Sequence, residues 1–209
     1  MKILCFGDSI TYGESDPING GWADRLKDDF VLEYQDSIRQ EVVLYNLGIG
    51  GETSDGLALR FKTEFLSRVI NGQKSLVVFA YGANDIVIHK NKNIVPLEYF
   101  IRNISQCFEL CKSKQSDVII LGLTPIAKSI EGKENQHGKI RFDRDINIYN
   151  QALENLAQKN QYLFIDLYPE FQQKGRDNLL AKDGVHPNTN GHQVIYDLVK
   201  RKLPLHGRI

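Results

Sequence analysis

The chain has 209 residues, with 26 Lys or Arg and 26 Asp or Glu, so its formal net charge at pH 7 is zero. A balanced surface of this kind has no long-range field that attracts polyanions, which argues against nucleic acid as a partner. A chain of this length without a linker-like stretch predicts a single domain over residues 1–209, whose core needs neither disulfides nor metal ions.

The first apolar run, residues 3–6, ends at Gly7 and is far shorter than a signal-peptide core or a membrane span. Cys5 lies in this run, and Cys107 and Cys111 stand four residues apart in a helical pattern. Cysteines in these places fit neither a four-ligand zinc site nor a dense disulfide framework, so we interpret them as reduced, buried thiols. These features predict a cytoplasmic protein with no membrane span, and they give no indication of its oligomeric state.

Five short apolar runs rich in β-branched residues predict strands that are covered on both faces. In chain order they span residues 3–6, 41–47, 75–81, 117–123 and 162–167. Each run is followed by a stretch whose apolar residues recur at helical spacing, and Pro96 is placed to occupy the first turn of the third helix. The apolar positions of the five predicted helices are Trp22, Leu26 and Phe30; Leu57, Phe61, Phe65 and Val69; Leu97, Ile101, Ile104 and Phe108; Ile146, Tyr149, Leu153 and Leu156; and Val194, Ile195, Leu198 and Val199.

The repeated alternation of strand and helix predicts an α/β fold with three α/β/α layers and a five-stranded parallel sheet of order 2-1-3-4-5. One stretch, residues 128–140, is polar, contains two glycines and a lone histidine, His137, and predicts an exposed loop. We favour a solvated connection there over a flap that covers a site.

Polar or glycine-rich groups follow four of the five predicted strands, at residues 7–9, 46–53, 82–85 and 183–186. The last group comes after an intervening segment. Ligands of open α/β sheets bind beyond the carboxyl ends of the strands, which lie along one edge when the strands are parallel. We therefore expect these four groups to meet.

Ser9, Asp183 and His186 have the chemistry of a nucleophile, an orienting acid and a base. Alone, Ser9 is typical of a helix N-cap, and His186 is typical of a turn. A carboxylate three residues before an imidazole, however, can accept from Nδ1 and leave Nε2 free to face a serine. The spacing therefore favours a catalytic role for the pair.

Acyl transfer also needs hydrogen-bond donors for the oxyanion that develops in the transition state. The backbone amides of Ser9 and Gly51 and the side-chain amide of Asn84 are the candidate donors. Asparagine in a turn often serves merely to tie a loop, and Gly51 is equally compatible with a permissive bend.

Four segments resemble, in order, the sequence blocks of the SGNH (GDSL) hydrolase family: residues 7–11, 46–54, 82–85 and 183–187. The resemblance implies a flavodoxin-like fold, with Ser9 as nucleophile, His186 as base and Asp183 as its orienting acid. It also implies an oxyanion site of Ser9, Gly51 and Asn84. Glycines stand at 48, 50 and 51, and the alignment of residues 51–53 selects Gly51.

The same resemblance implies cleavage of carboxylic esters through an acyl-enzyme, without metal or cofactor. The substrate would be a small-molecule ester with a small acyl or aryl group, and acetylated sugars and lysophospholipids are within the range of the family.

Two other functions fit the predicted fold. A non-catalytic nucleotide-binding module would use the glycine-rich turn at residues 48–53, which departs from G-x-G-x-x-G at its last position. A metal-dependent phosphoesterase would need more histidines near residues 7–8 and 82–85 than the nearest one, His89. An α/β-hydrolase is disfavoured because no serine stands in G-x-S-x-G.

Overall fold

The structure, a computed structural model, describes residues 1–36 and 42–203. Its strands are β1 (Lys2–Gly7), β2 (Val43–Gly48), β3 (Ser75–Ala80), β4 (Ile88–His89), β5 (Lys92–Asn93), β6 (Asp117–Leu121) and β7 (Leu163–Ile165). Five of them form a parallel sheet in the spatial order β2-β1-β3-β6-β7, while β4 and β5 form a separate antiparallel pair.

The sheet confirms the predicted topology, because its five strands follow the order 2-1-3-4-5 when they alone are counted along the chain. The bounds differ at several ends. The predicted start of the second strand, Glu41, lies outside the described residues. The fourth predicted strand, β6, ends at Leu121 rather than Leu123. The backbone amide of Leu123 donates instead to the side-chain oxygen of Asn150 at 2.7 Å.

The helices are α1 (Ser9–Tyr12), α2 (Gly21–Asp36), α3 (Ser54–Leu66), α4 (Leu97–Ser113), α5 (Asp143–Asn160), α6 (Tyr168–Gln173) and α7 (Thr189–Lys202), with a 3-10 turn at Arg176–Leu179. The five predicted helices correspond to α2, α3, α4, α5 and α7. Val69 lies beyond the end of α3, and Pro96 is the N-cap of α4 rather than its first residue, so both of these details were wrong. The short elements α1 and α6 do not extend over enough turns to give a repeating apolar pattern.

Two apolar cores cover the two faces of the sheet, because successive strand residues point to opposite sides. Leu4 and Phe6 of β1 face the core formed with α3, α4 and α5. Ile3 and Cys5 of the same strand face the core formed with α2, α6 and α7. This arrangement confirms the three-layer architecture and leaves the carboxyl edge of the sheet free for polar groups.

The cysteine interpretation agrees with the structure: Cys5, Cys107 and Cys111 are free and buried. Burial raises the pKa of each thiol, that of Cys107 to about 12, so all three are protonated and unreactive at neutral pH. Within residues 1–36 and 42–203, no helix has the length and apolar character needed to cross a membrane.

The connection between β6 and α5, residues 122–142, is the exposed loop that the sequence predicts: residues 128, 129 and 131–137 are exposed. Both ends of this connection are held by backbone hydrogen bonds. The amide of Ala127 donates to the Gly184 carbonyl oxygen at 2.8 Å, and Ile88 and Ile140 form an antiparallel bridge with bonds of 2.8 and 2.9 Å. The connection therefore joins the loop before α7 to the loop after β3.

Candidate active site

Ser9 lies at the sharp turn between β1 and α1. The side chain of Asp8 caps α1 by accepting a hydrogen bond from the Ile10 amide at 2.9 Å. Gly7 has no room for a side chain, because a Cβ there would lie 2.0 Å from Oγ1 of Thr11. The tight turn places Ser9 at the N-terminus of a helix, at the carboxyl end of β1.

Ser9, His186 and Asp183 form a continuous hydrogen-bonded chain, although the serine and histidine are 177 residues apart in sequence. The hydroxyl of Ser9 lies 2.8 Å from Nε2 of His186, and Nδ1 of His186 lies 2.5 Å from Oδ2 of Asp183. An ionised carboxylate can only accept, so Nδ1 carries the proton and Nε2 is free to accept from Ser9. The structure thus brings together the three residues that the sequence singled out.

The loop that carries Asp183 and His186 is fixed by its own backbone. Oδ1 of Asp183 accepts from the amides of Val185 and His186 at 2.9 and 3.1 Å. The amide of Ala181 donates to the carbonyl oxygen of His186 at 2.8 Å. Gly184 has a φ of 71° and packs against the 122–142 connection, where a Cβ would lie 2.9 Å from Cβ of Ala127. The loop that carries the imidazole is therefore held by its own hydrogen bonds and by its contact with the 122–142 connection.

The Asp183 and His186 pair shifts the pKa of both members. Partial burial alone would raise the pKa of Asp183, but the hydrogen bonds from His186 and from two backbone amides outweigh it and lower the pKa to about 2. Burial alone would lower the pKa of His186, but the hydrogen bond and charge of Asp183, with smaller contributions from Glu14 and Asp8, raise it above the ordinary value. Asp183 is consequently ionised at any pH at which a base of this kind is neutral.

Asp8 is the other titratable group beside Ser9. Burial, assisted by the nearby charge of Asp85, raises the pKa of Asp8 to about 7. The hydrogen bond from the Ile10 amide and the charges of His186 and Arg141 oppose this rise. Asp8 therefore changes charge in the neutral pH range.

The three candidate oxyanion donors differ in their hydrogen bonds. Across the described residues, nothing accepts a hydrogen bond from the backbone amides of Ser9, Gly50 or Gly51. The side-chain amide of Asn84 donates to the Glu52 carbonyl oxygen at 3.0 Å and approaches Oδ2 of Asp8 at 3.5 Å. Asn84 therefore links the loop after β3 to the glycine-rich loop after β2.

The glycine-rich loop is held by a partly buried ion pair that the sequence did not reveal. Arg60 of α3 binds both carboxylate oxygens of Glu52, at 2.8 and 2.6 Å, and donates to the Leu47 carbonyl oxygen at 2.6 Å. The hydroxyl of Tyr81 donates to the same carboxylate. Glu52 and Arg60 are eight residues apart and belong to different elements, so no local pattern could have paired them.

Two further polar contacts connect the loops of the site. Asp85, fully buried, accepts from the amide and the hydroxyl of Ser54 at the start of α3, at 2.9 and 2.5 Å. His192 of α7 is also fully buried, and its ring nitrogens bond the Trp22 amide and the Glu14 carbonyl oxygen at 3.3 and 2.9 Å. The sequence analysis missed both residues, because their partners lie far away along the chain.

A small cavity of about 20 Å³ adjoins the nucleophile turn. Asp8 and Ile10, on either side of Ser9, contribute to its wall, as do Trp22, Tyr81 and Ala83. Its other walls are mostly apolar and are formed by Ala80 of β3, residues 121–124 at the end of β6, Leu167 after β7 and Ile195 of α7. The free volume corresponds to about one water molecule, so a group that enters it must be small.

The metal-dependent alternative finds little support in the positions of the histidines. In the described parts of the chain, no group of three or more His, Cys, Asp or Glu side chains could hold a metal ion. Nδ1 of His89 bonds the Gly138 carbonyl oxygen at 3.0 Å on the 122–142 connection. His89 is thus engaged with that connection rather than with Asp8 or Asp85.

Comparison with known proteins places this chain in a family. The profile of the GDSL-like lipase/acylhydrolase family matches residues 5–194, most of the chain. The chain belongs to this family. It is 30% identical to the isoamyl acetate-hydrolyzing esterase of Saccharomyces cerevisiae, over 94% of this chain and 83% of the yeast protein. It is 27% identical to an arylesterase of Vibrio mimicus, over 98% of this chain and 89% of that protein.

The fold is also that of solved GDSL proteins. A lipolytic protein of the G-D-S-L family from Veillonella parvula superposes with a TM-score of 0.73 at 22% identity, covering 98% of this chain and 99% of that one. As a GDSL hydrolase, the chain is an esterase or acylhydrolase, which agrees with the resemblance found in its four sequence blocks.

The pH dependence of this GDSL hydrolase should follow the His186 imidazole, which accepts a proton only when neutral. Because Asp183 raises the pKa of His186, we expect kcat/KM to fall about tenfold per pH unit on the acid side of a midpoint above roughly 6.5. Steady-state rates between pH 5 and 9 measure this limb. The limb should persist in Asp8→Asn, and a flat wild-type profile from pH 5 to 8 would contradict the assignment.

Proposed function

We propose that this GDSL hydrolase cleaves carboxylic esters with short acyl groups, with Ser9 as nucleophile, His186 as general base and Asp183 as the acid that orients it. The observation that carries the proposal is the unbroken hydrogen-bonded chain from the Ser9 hydroxyl to the Asp183 carboxylate. A serine that merely capped a helix would have no reason to face an imidazole whose other nitrogen is bound to a carboxylate.

In the first half of the proposed reaction, the Ser9 oxygen attacks the ester carbonyl carbon while Nε2 of His186 takes the hydroxyl proton. The tetrahedral intermediate collapses when His186 returns that proton to the leaving alcohol, which breaks the ester bond and leaves an acyl-enzyme. In the second half, His186 activates water in the same way, and the acid product leaves with Ser9 restored. Asp183 stabilises the imidazolium that forms in each half.

The negative charge on the former carbonyl oxygen would be held by the amides of Ser9 and Gly51 and by Nδ2 of Asn84. The free backbone amides of Ser9 and Gly51 support this assignment, because a donor already engaged elsewhere could not serve. Asn84 needs one of its two N–H groups to turn toward the oxyanion while the other remains on the Glu52 carbonyl oxygen. The scheme uses no metal or cofactor.

Two observations support a short acyl group. The cavity that Asp8 and Ile10 help to line has about 20 Å³ of free volume, which suits a group near the size of a methyl. The yeast relative is named for the hydrolysis of isoamyl acetate, an ester of the smallest common acyl group with a branched alcohol. A small-molecule ester of this kind is therefore the substrate class that we assign.

The proposal extends to the domain organisation and the location of the enzyme. One sheet with its two cores runs through the described residues, which supports residues 1–209 as a single domain. Three buried, unpaired cysteines favour a reducing compartment, and on this ground we assign the enzyme to the cytoplasm.

A series of p-nitrophenyl esters with lengthening acyl chains tests the proposed substrate class. We expect kcat/KM to be highest for the acetate or butyrate and to fall by about tenfold or more by the octanoate, because longer chains exceed the cavity. Ser9→Ala serves as the control and should be inactive on every ester. A rate that rises toward long chains would contradict the short-acyl assignment. A chelator-sensitive phosphatase activity that survives in Ser9→Ala would instead support the metal-dependent alternative.

A further inference from the structure

Arg141 stands at the end of the 122–142 connection, directly after the residue that pairs with the loop following β3. Its own carbonyl oxygen accepts from the Gly132 amide at 2.9 Å, and the preceding residue, Ile140, makes both hydrogen bonds of the bridge to Ile88. The backbone at Arg141 is therefore fixed by its own hydrogen bond to Gly132 and by the bridge that its neighbour Ile140 makes with Ile88. Its side chain belongs to a rigid part of the connection rather than to the exposed turn at 131–137.

Among the described residues, the guanidinium of Arg141 forms no ion pair with a carboxylate of the candidate active site. Its charge interacts with those of Asp183 and Asp8, while burial lowers its pKa. Arginine nevertheless remains protonated in proteins. Its Nε is buried without a hydrogen-bond partner, and within the described part of the chain no residue forms an ion pair or a side-chain hydrogen bond with it.

The other arginines that are not exposed are all paired with a carboxylate. The described examples with their partners are Arg25 with Asp16, Arg60 with Glu52, Arg68 with Glu64 and Arg176 with Asp143. Arg141 departs from this pattern, although two carboxylates lie within range of its charge. An unpaired guanidinium that is withdrawn from water is costly, so a partner from outside the chain would stabilise it.

Three of the four nearby carboxylate oxygens are already used by close donors, and the fourth, Oδ2 of Asp8, lies 3.5 Å from the side-chain amide of Asn84. Oδ2 of Asp183 binds His186, and its Oδ1 accepts from two backbone amides. Oδ1 of Asp8 accepts from the Ile10 amide as the helix cap. Arg141 is therefore left without a carboxylate partner among the described residues, although its charge acts on Asp8, the residue before Ser9.

We propose that Arg141 is a specificity-determining residue that binds a carboxylate carried by the ester substrate. A planar guanidinium pairs with a carboxylate through two parallel hydrogen bonds. One cation next to the ionised Asp183 suits a monoanion better than a phosphate dianion, because the second negative charge would be repelled. The inference rests on the proposed function, since it assigns the substrate of the same Ser9 site.

The carboxylate could belong to the acyl group or to the alcohol, and two matched pairs of substrates separate these cases. The mono-4-nitrophenyl ester of glutaric acid carries it on the acyl side, and 4-acetoxybenzoate carries it on the alcohol side. The methyl ester of each compound is the neutral partner. Arg141→Gln is the test variant, and Arg141→Lys keeps the charge but loses the paired hydrogen bonds.

We expect the wild type to prefer one of the anionic esters over its methyl ester. The Arg141→Gln substitution should lower kcat/KM for that anion by about 10- to 100-fold, mainly by raising KM. The neutral partner should change by less than about twofold, and Arg141→Lys should fall between the two. Arg144→Gln is the matched control, because this exposed arginine lies on the same stretch of chain and should leave the preference unchanged.

Calorimetry with glutarate and 4-hydroxybenzoate on Ser9→Ala, with and without Arg141→Gln, measures carboxylate binding without catalysis. Loss of binding in the double variant supports the inference. Hydrolysis of the neutral esters with no preference for either anion, or equal losses on both members of a pair in Arg141→Gln, overturns the role of Arg141 and leaves the esterase intact. Absence of hydrolysis of all four esters overturns the proposed function instead. Calorimetry still tests the inference when no ester is hydrolysed, and carboxylate binding that is the same with and without Arg141 overturns it.

Discussion

Replacing His186 with Gln should lower kcat by about 10⁶-fold, the loss expected when the base of a serine triad is removed. Nε2 of His186 is the atom that faces the Ser9 hydroxyl at 2.8 Å, and glutamine offers no group there that can take a proton and return it. The backbone contacts of residue 186 do not depend on its side chain, so the loop before α7 should keep its structure.

The measurement is the steady-state hydrolysis of p-nitrophenyl acetate, with thermal unfolding as the check on folding. His137→Gln is the matched control, because His137 lies on the exposed turn of the 122–142 connection and bonds its sequence neighbour Gln136. This control should keep wild-type activity. A His186→Gln enzyme with more than about one hundredth of the wild-type kcat would remove His186 from the mechanism.

Replacing Asp183 with Asn should lower kcat by about 10⁴-fold through the tautomer of His186. The amide oxygen of asparagine can still accept from the backbone amides of residues 185 and 186, which leaves its NH₂ group facing Nδ1. The imidazole must then carry its proton on Nε2, where it donates to Ser9 instead of accepting from it. The fold should be nearly unaffected, because the backbone bonds of the loop remain.

The Asp183→Asn substitution should also shift the acid limb of the pH profile. Loss of the Asp183 charge removes the main cause that raises the pKa of His186, so the midpoint of the residual activity should move to lower pH. Asp197→Asn, on the exposed side of α7, controls for the loss of a surface carboxylate. Normal turnover in Asp183→Asn would show that the carboxylate has no part in catalysis.

Much of the architecture could be predicted because buried parallel strands appear in the sequence as continuous apolar runs. The stretches around Leu4 and Val77 are apolar on both faces, which identifies central strands without knowledge of their neighbours. The same logic places polar groups at one edge, so the meeting of Ser9 with His186 follows from topology. Asp183 and His186 were found through a local spacing that a single turn satisfies.

What the sequence could not predict are side-chain pairs between different elements, whether the two residues lie close together or far apart along the chain. Glu52 pairs with Arg60, and His192 joins α7 to α2, without any periodicity that marks them. Arg141 follows a polar stretch that resembles an ordinary solvated connection, and the residue before it is fixed by a bridge between Ile88 and Ile140, which no local pattern predicts. Contacts of this kind depend on tertiary geometry, which composition and spacing do not encode.

Covalent labelling with a fluorophosphonate tests the central claim most directly, because such probes react with a serine hydroxyl whose proton a neighbouring base removes. Peptide mapping of the labelled protein should place the adduct on Ser9, and labelling should be absent in Ser9→Ala and strongly reduced in His186→Gln. An adduct on another serine, or equal labelling of the wild type and Ser9→Ala, would contradict the assignment of Ser9 as the nucleophile.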